Sequence, residues 1–200
     1  MIAREMIARY KIAREQTRRE LEEKYKKPVF FAHELTSCSL KRQLSRSLTE
    51  IDLSSSFNPR MMLGEIVEYG VEMFMNKLGY IKPDKPCILE LDDIVVAGSP
   101  DYISKDGKTL VDIKYSKQLD MREHHATRME IYLTICNGEK GILLYISRNG
   151  IRNYEISEKI DLKKIELLAK TQAAPRYAWE CKLCVFQDFC SHSRVISFGE

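Results

Sequence analysis

Two groups of residues in this 200-residue chain are spaced to do chemistry. The first is Gly98-Ser99-Pro100-Asp101, followed by Asp112-Ile113-Lys114. An acid-x-Lys triplet alone says little, because the chain also carries Glu22/Lys24, Asp106/Lys108, Asp161/Lys163 and Glu180/Lys182. Only Asp112 and Lys114 lie on a strand-like run, Thr109 to Tyr115, whose period of two turns both side chains to one face. Asp101 opens the neighbouring strand. Carboxylates on adjacent strands repel, so a cation between them would relieve the cost, and hard oxygen donors select Mg2+ or Mn2+. Such an ion, with Lys114 beside it, could activate water for in-line attack on a phosphodiester. A solvated acid–base pair on an exposed sheet face has the same pattern, and the residues alone leave both readings open.

The second group is Cys181, Cys184 and Cys190, spaced C-x2-C-x5-C. A tetrahedral centre needs a fourth ligand. Cys38, far upstream, would supply a fourth thiolate and tie the first helices to the tail, whereas His192 would complete a zinc site. Iron–sulfur cluster and zinc both remain open, with a structural role for either. Cys87 and Cys136 sit among apolar neighbours and read as buried thiols, since an intracellular chain is not expected to build a disulfide framework.

The elements that must position these groups follow from periodicity. Three five-residue phrases, starting at Met1, Met6 and Lys11, open a basic helical stretch to Lys27. Five residues advance a helix by about 500°, so Ile2, Ile7 and Ile12 form no common stripe and the helix reads as peripheral, a surface for self-association or a partner. Thr36 is the expected N-cap of a helix to Leu48, and residues 52–58 the following loop. Residues 60–79 read as a helix whose Met-rich face (Met62, Ile66, Tyr69, Met73, Phe74) is expected in the core. From Ile88 the period becomes that of strands: a three-stranded antiparallel meander through Ile94–Ala97, Tyr102–Ile103 and Thr109–Tyr115. A helix over 120–137, a hairpin across Asn149-Gly150 and a helix over 161–174 complete the order. His124 and His125 read as surface residues. Tyr177 and Trp179 are of a type that stacks on unpaired bases, with packing against the cysteine centre favoured for Trp179. The pattern is α/β or α+β with a mixed sheet and a metal-bound C-terminal appendage.

Charge is uneven: nine Lys and Arg against five Asp and Glu in residues 1–27, thirteen against seventeen in 28–139, ten against seven in 140–200. Basic ends around an acidic middle suit polyanion contacts outside a cation-binding centre. With a hydrophobic fraction of 44%, the chain can bury a core. No run of ~20 apolar residues or signal segment is present, so a cytoplasmic protein with no membrane partner is expected.

Taken together, Cys38 in a short helix, Gly98-x-x-Asp101, Asp112-x-Lys114, a helix carrying Tyr132 and the C-x2-C-x5-C tail resemble the CRISPR-associated Cas-four exonucleases, RecB-like members of the PD-(D/E)xK nucleases. The resemblance spans roughly 32–192. It implies a restriction-endonuclease-like core, a mixed sheet flanked by helices, over 28–174, after a helical extension over 1–27 and before an iron–sulfur segment over 175–200. It further implies exonuclease action on single-stranded DNA ends with Mn2+ or Mg2+, in trimming fragments for CRISPR spacer acquisition. Expected partners are DNA, the proteins of CRISPR integration and other copies of the chain. By position, Asp101 and Asp112 match the acidic metal ligands, the Ile113 carbonyl completes that site, and Lys114 matches the catalytic lysine. Cys38, Cys181, Cys184 and Cys190 match the cluster ligands, a 4Fe-4S cluster being favoured. Two positions depart from the family. Glu68 stands where Gly-x-x-x-His has its histidine and is expected as a metal ligand. Arg128 replaces the glutamine of Gln-x-x-x-Tyr, so Arg128 and Tyr132 are expected at DNA. The alternatives are a catalytically weakened DNA-binding or scaffolding homologue and a zinc-stabilised interaction module.

Overall fold

The computed structural model describes residues 2–54 and 59–192, so residues 55–58 of the expected loop and 193–200 of the tail lie outside the described residues. The order is α1 (Ile2–Tyr25), β1 (Val29–Phe31), α2 (Ala32–Leu35), α3 (Ser39–Ser47), α4 (Thr49–Ser54), α5 (Pro59–Lys77), β2 (Tyr80–Ile81), β3 (Cys87–Glu90), β4 (Val95–Gly98), β5 (Tyr102–Ser104), β6 (Thr109–Tyr115), α6 (Glu123–Ile135), β7 (Lys140–Ser147), β8 (Gly150–Ile156) and α7 (Leu162–Lys170). It is a mixed α/β fold with sheets flanked by helices.

The strands form two sheets, β1-β4-β3 and β2-β5-β6-β7-β8. The expected single meander therefore splits. β4 pairs in parallel with β1 and antiparallel with β3, and only β5 and β6 form the hairpin that carries the acids. The break falls at Gly98-Ser99-Pro100. Pro100 has no N–H for a ladder. Gly98 admits α6, because a Cβ there would lie 2.8 Å from Tyr132 Cε1 and 2.9 Å from Ile135 Cδ1. The β5–β6 turn is closed by Asp106, whose carboxylate accepts from Ser104 Oγ at 2.5 Å and from the Lys108 amide at 3.0 Å. Gly107 takes φ +74°, which a side chain would strain.

The five-stranded sheet is mixed. β6 runs parallel to β7, and β7 turns into β8 across the expected hairpin. Alternation along β6 and β7 sends Leu110, Leu143 and Tyr145 into the core under α6, and Val111, Ile113, Ile142, Leu144 and Ile146 to a smaller cluster with α5. Met129, Ile131 and Leu133 of α6 are wholly buried. Gly141 is packed against Met129, which lets that helix lie close to β7.

Three expectations about the helices change. Thr36 is the C-cap of α2, and Cys38, not Thr36, stands at the N-cap of α3. The Met-rich face of α5 is not core. Val67, Val71 and Met75, four residues apart, pack on the sheet, while Ile66, Tyr69, Met73 and Phe74 are exposed. α1 is more than a peripheral helix, since Lys11, Arg18 and Leu21 are buried. Arg18 pairs with buried Glu34 at 2.7 Å, and Lys11 with Asp52 at 2.9 Å. Finally, Cys87 and Cys136 are not free thiols but a disulfide that joins β3 to the end of α6. Among the described residues, no helix is long and apolar enough to cross a membrane.

Candidate active site

The acids converge where β5 begins opposite the middle of β6. Tyr102 pairs with Val111, which sets Asp101 beside Asp112 across the hairpin. Asp101 Oδ2 accepts the Ile113 amide hydrogen at 2.5 Å, and this bond fixes its carboxylate over the neighbouring strand. Asp112 and Lys114 share a face as their spacing requires, with Lys114 Nζ 2.5 Å from Asp112 Oδ2 and 3.1 Å from the Ile113 carbonyl oxygen. Asp112 is 2% exposed, and its Oδ2 makes no hydrogen bond besides that ion pair.

Glu68 approaches from α5. It is held by Lys82 at 3.1 Å, and its backbone carbonyl accepts the Tyr102 hydroxyl at 3.2 Å. The electrostatics locate it with the other acids: burial, then Asp112, and further Glu68 push the Asp101 carboxyl well above the ordinary range, against the opposing pull of Lys114 and the Ile113 amide. Lys82 is raised by Glu68 despite the cost of its burial. Burial and Glu68 likewise raise Glu65, one turn earlier on α5, a neighbour that the sequence reading missed. Asp101, Asp112, Ile113 and Lys114 thus meet at the hairpin, and Glu68 on α5 is near enough to act on Asp101. As they stand, no three His, Cys, Asp or Glu side chains among the described residues are grouped closely enough to hold a metal ion. The donor set nonetheless suits a hard cation. Three carboxylates repel one another, and the buried Asp112 Oδ2 and the Ile113 carbonyl oxygen are both turned to the Lys114 ammonium.

The chain and its fold resemble known proteins. The crystal structure of SSO0001 is 28% identical and superposes with a TM-score of 0.75, over 82% of this chain and 86% of that one. LHK-Exo in complex with dAMP, 13% identical with a TM-score of 0.50, covers 70% of this chain and 81% of its own, a likeness of fold. No family model matches the chain. A curated protein, the CRISPR-associated exonuclease Cas4 of Saccharolobus solfataricus, is 30% identical over 176 residues, 81% of this chain and 87% of that protein. The chain belongs to the CRISPR-associated exonuclease Cas4 family. It is a nuclease.

The other residues expected from the Cas4 resemblance fall in two places. Tyr132 is buried in the main core, its ring against Gly98, so its position supports the hairpin rather than a surface. Arg128 stands nearer the N-terminus of α6 with a buried, unpartnered Nε, in the wall of a large cavity beside α1 and α3.

The four cysteines lie on one side of the fold. Cys38, Cys181, Cys184 and Cys190 line one small cavity, to which His192 also contributes. Two 3-10 turns, Cys181–Leu183 and Gln187–Phe189, place the ligating spacing, with the Cys184 amide donating to the Cys181 carbonyl at 3.2 Å. Burial, then the neighbouring thiols Cys38, Cys190 and Cys184, raise the Cys181 thiol, so a metal there would have to displace protons. The strut that assembles the cavity is Glu180, another residue that the sequence reading passed over. Its carboxylate accepts the amides of Cys38 at 2.8 Å, Arg176 at 2.8 Å and Tyr177 at 2.9 Å. Trp179, expected against the cysteine centre, has its ring centroid 4.9 Å from that of His124 and 6.0 Å from that of Tyr177.

His124 and His125 are not surface residues. Their rings lie 4.1 Å apart, and His125 Nδ1 is bonded to the buried Tyr145 hydroxyl at 2.6 Å. Burial, then Arg128, Arg122 and Lys114, lower His124 to about 4, and burial followed by Lys114 lowers His125 further. A histidine whose folded value lies below its unfolded ~6.5 contributes stability that is full above pH ~6.5 and is lost as pH falls toward the folded value. The urea midpoint should therefore fall between pH 7 and pH 4.5 more steeply for the wild type than for His124→Gln. Parallel declines would show that His124 carries none of this pH dependence.

Proposed function

We propose that the chain is a divalent-metal-dependent DNA exonuclease acting on single-stranded ends. The observation that carries this reading is the convergence of Asp101 and Asp112 across the β5–β6 hairpin with Lys114 on the same face. Glu68, Asp101, Asp112 and the Ile113 carbonyl would hold Mn2+ or Mg2+. When bound, the ion supplies Lewis-acid polarisation of the phosphate and a water of lowered pKa.

The rest of the chemistry belongs to the chain's own groups. Asp101, fixed by the Ile113 amide, keeps one carboxylate aligned with Asp112 instead of rotating into solvent. Lys114 is the mobile cation of the site, and its ammonium can leave Asp112 for a phosphate oxygen, where it would offset the charge that develops as the phosphodiester is attacked. Lys82 holds Glu68 at the position where the family resemblance has a histidine, balancing the additional negative charge. Burial of Asp112 under α6 keeps these electrostatics strong.

In this reading residues 28–174 are the nuclease core, 1–27 an extension and 175–200 a segment built around an iron–sulfur cluster, 4Fe-4S favoured. Cys38, Cys181, Cys184 and Cys190 would hold the cluster. Its role would be structural, joining α3 to the tail. The process served is the trimming of DNA fragments for CRISPR spacer acquisition, with integration proteins and further copies of the chain as partners, a reading supported by the Cas4 relative. Anaerobically purified protein should be brown, with absorption near that of a thiolate cluster and iron by elemental analysis. Colourless, zinc-replete protein would remove the cluster and leave the nuclease reading intact.

With Mn2+ or Mg2+ the protein should shorten end-labelled single-stranded DNA, and Asp112→Ala or Lys114→Ala should slow this by about 10²-fold or more. Glu68→Ala should also be slow. Intact DNA, or variants as fast as the parent, would favour the DNA-binding homologue that has lost cutting.

A further inference from the structure

A cavity of about 750 Å3 lies between α1, α3, the first half of α6 and the cysteine-rich tail. Eight Lys and Arg line it against four Asp and Glu, so it carries a net charge of +4. The acids are already engaged: Glu34 and Glu15 with Arg18, Asp52 with Lys11, and Glu180 with three backbone amides. Several cations are not fully satisfied. Arg42 is 8% exposed and its Nη1 has no partner, and Arg46 Nε and Arg128 Nε are likewise buried without one. Leaving buried guanidinium N–H groups unpaired is costly, and an anion with several acceptor oxygens would satisfy them together. His33, also in the wall, lies with Nε2 3.2 Å from Arg14 Nη1. Its protonation is opposed first by burial and then by Arg14, Arg128, Arg18 and Lys41, with no carboxylate among the groups that dominate.

One further feature narrows the ligand. Trp179, the chain's only tryptophan, lines the cavity and is 40% exposed, next to His124. An aromatic platform beside convergent arginines is the pairing that binds unstacked bases along a phosphate backbone. A chain of side-chain contacts links the cavity wall to the strand that carries Lys114. His124 in that wall touches His125, His125 is bonded to Tyr145, and Tyr145 is the register partner of Lys114 on the next strand.

We propose that this cavity seats an unpaired stretch of the DNA strand, with α1 as one wall. Arg14 of α1, Lys41, Arg42 and Arg46 of α3, and Arg128 of α6 take its phosphates, and Trp179 stacks on a base. The choice of DNA rests on the nuclease reading above. The N-terminal helix is in this account a nucleic-acid contact.

Trp179 makes the test direct, because all tryptophan emission comes from the cavity wall. In EDTA, where no cleavage occurs, a ten-residue oligothymidylate should change that emission saturably, while thymidine monophosphate and inorganic phosphate should do so only at far higher concentration. Lys41→Glu and Arg14→Glu should each weaken the oligonucleotide roughly tenfold or more, and should lower the salt slope by about 0.7 for each phosphate contact removed. Far-ultraviolet dichroism and the milder Lys41→Ala, with a smaller loss in the same direction, separate lost contacts from lost folding. Unchanged emission, wild-type affinity in folded charge-reversal variants, or equal binding of a single phosphate would overturn the proposal. Binding that changes emission in a protein that never cleaves would sink the nuclease reading and leave the cavity. Cleavage without any change in emission would do the reverse.

Discussion

The fold is arranged around a repulsion. Asp101 and Asp112 are neighbours across a hairpin, Glu68 stands near them on α5, and burial opposes the charge of Asp101. A fold gains little in stability from such a cluster, and the ammonium groups of Lys114 and Lys82 leave one of the three carboxylates unbalanced. The surrounding elements hold the acids in place nonetheless. The Ile113 amide fixes Asp101, Lys82 fixes Glu68, and the strand pairing of β6 with β7 leaves Asp112 no route to solvent. Such cost is ordinarily tolerated where function requires it.

Long-range ties keep that arrangement rigid. The disulfide binds β3 to the end of α6, the helix packed against Gly98 at the entry to the acidic hairpin. Glu180 draws the tail to Cys38 through backbone amides, and both the Ser39 amide and hydroxyl donate to the Ala173 carbonyl. The four cysteines are brought together by these hydrogen bonds as well as by their own spacing. The first and last parts of the chain therefore close over the same side of the core, and the basic cavity lies beneath that closure.

Much of the site was legible because it is local. The alternation through Thr109–Tyr115 places Asp112 and Lys114 on one face whatever the sheet around them, and the C-x2-C-x5-C spacing determines its own turns. What could not be read depends on partners distant in sequence. Ile94–Ala97 has the hydropathy of a meander strand, but whether it pairs with β5 or with β1 is decided by a three-residue segment near Val29. The apolar residues of α5 outnumber the places on the sheet that receive them, so spacing alone could not tell Val67, Val71 and Met75 from the outward Ile66 and Met73. Cys87 and Cys136 look alike as buried thiols or as a bonded pair until β3 and α6 are side by side. The histidine pair was hidden because adjacent residues on a helix point different ways, and their cover comes from the tail over His124 and from Tyr145 against His125.

The central claim, that a divalent cation is what the three acids are gathered for, is tested most directly by Mn2+ binding to metal-free protein followed by calorimetry and thermal melting. Wild type should bind Mn2+ and melt at higher temperature as the ion is added. Binding and shift should be lost in Asp112→Ala and sharply weakened in Glu68→Ala, since an ion that prefers the folded state stabilises it. A wild-type protein that binds no Mn2+ or Mg2+, or an Asp112→Ala protein that binds as well as the parent, would contradict it.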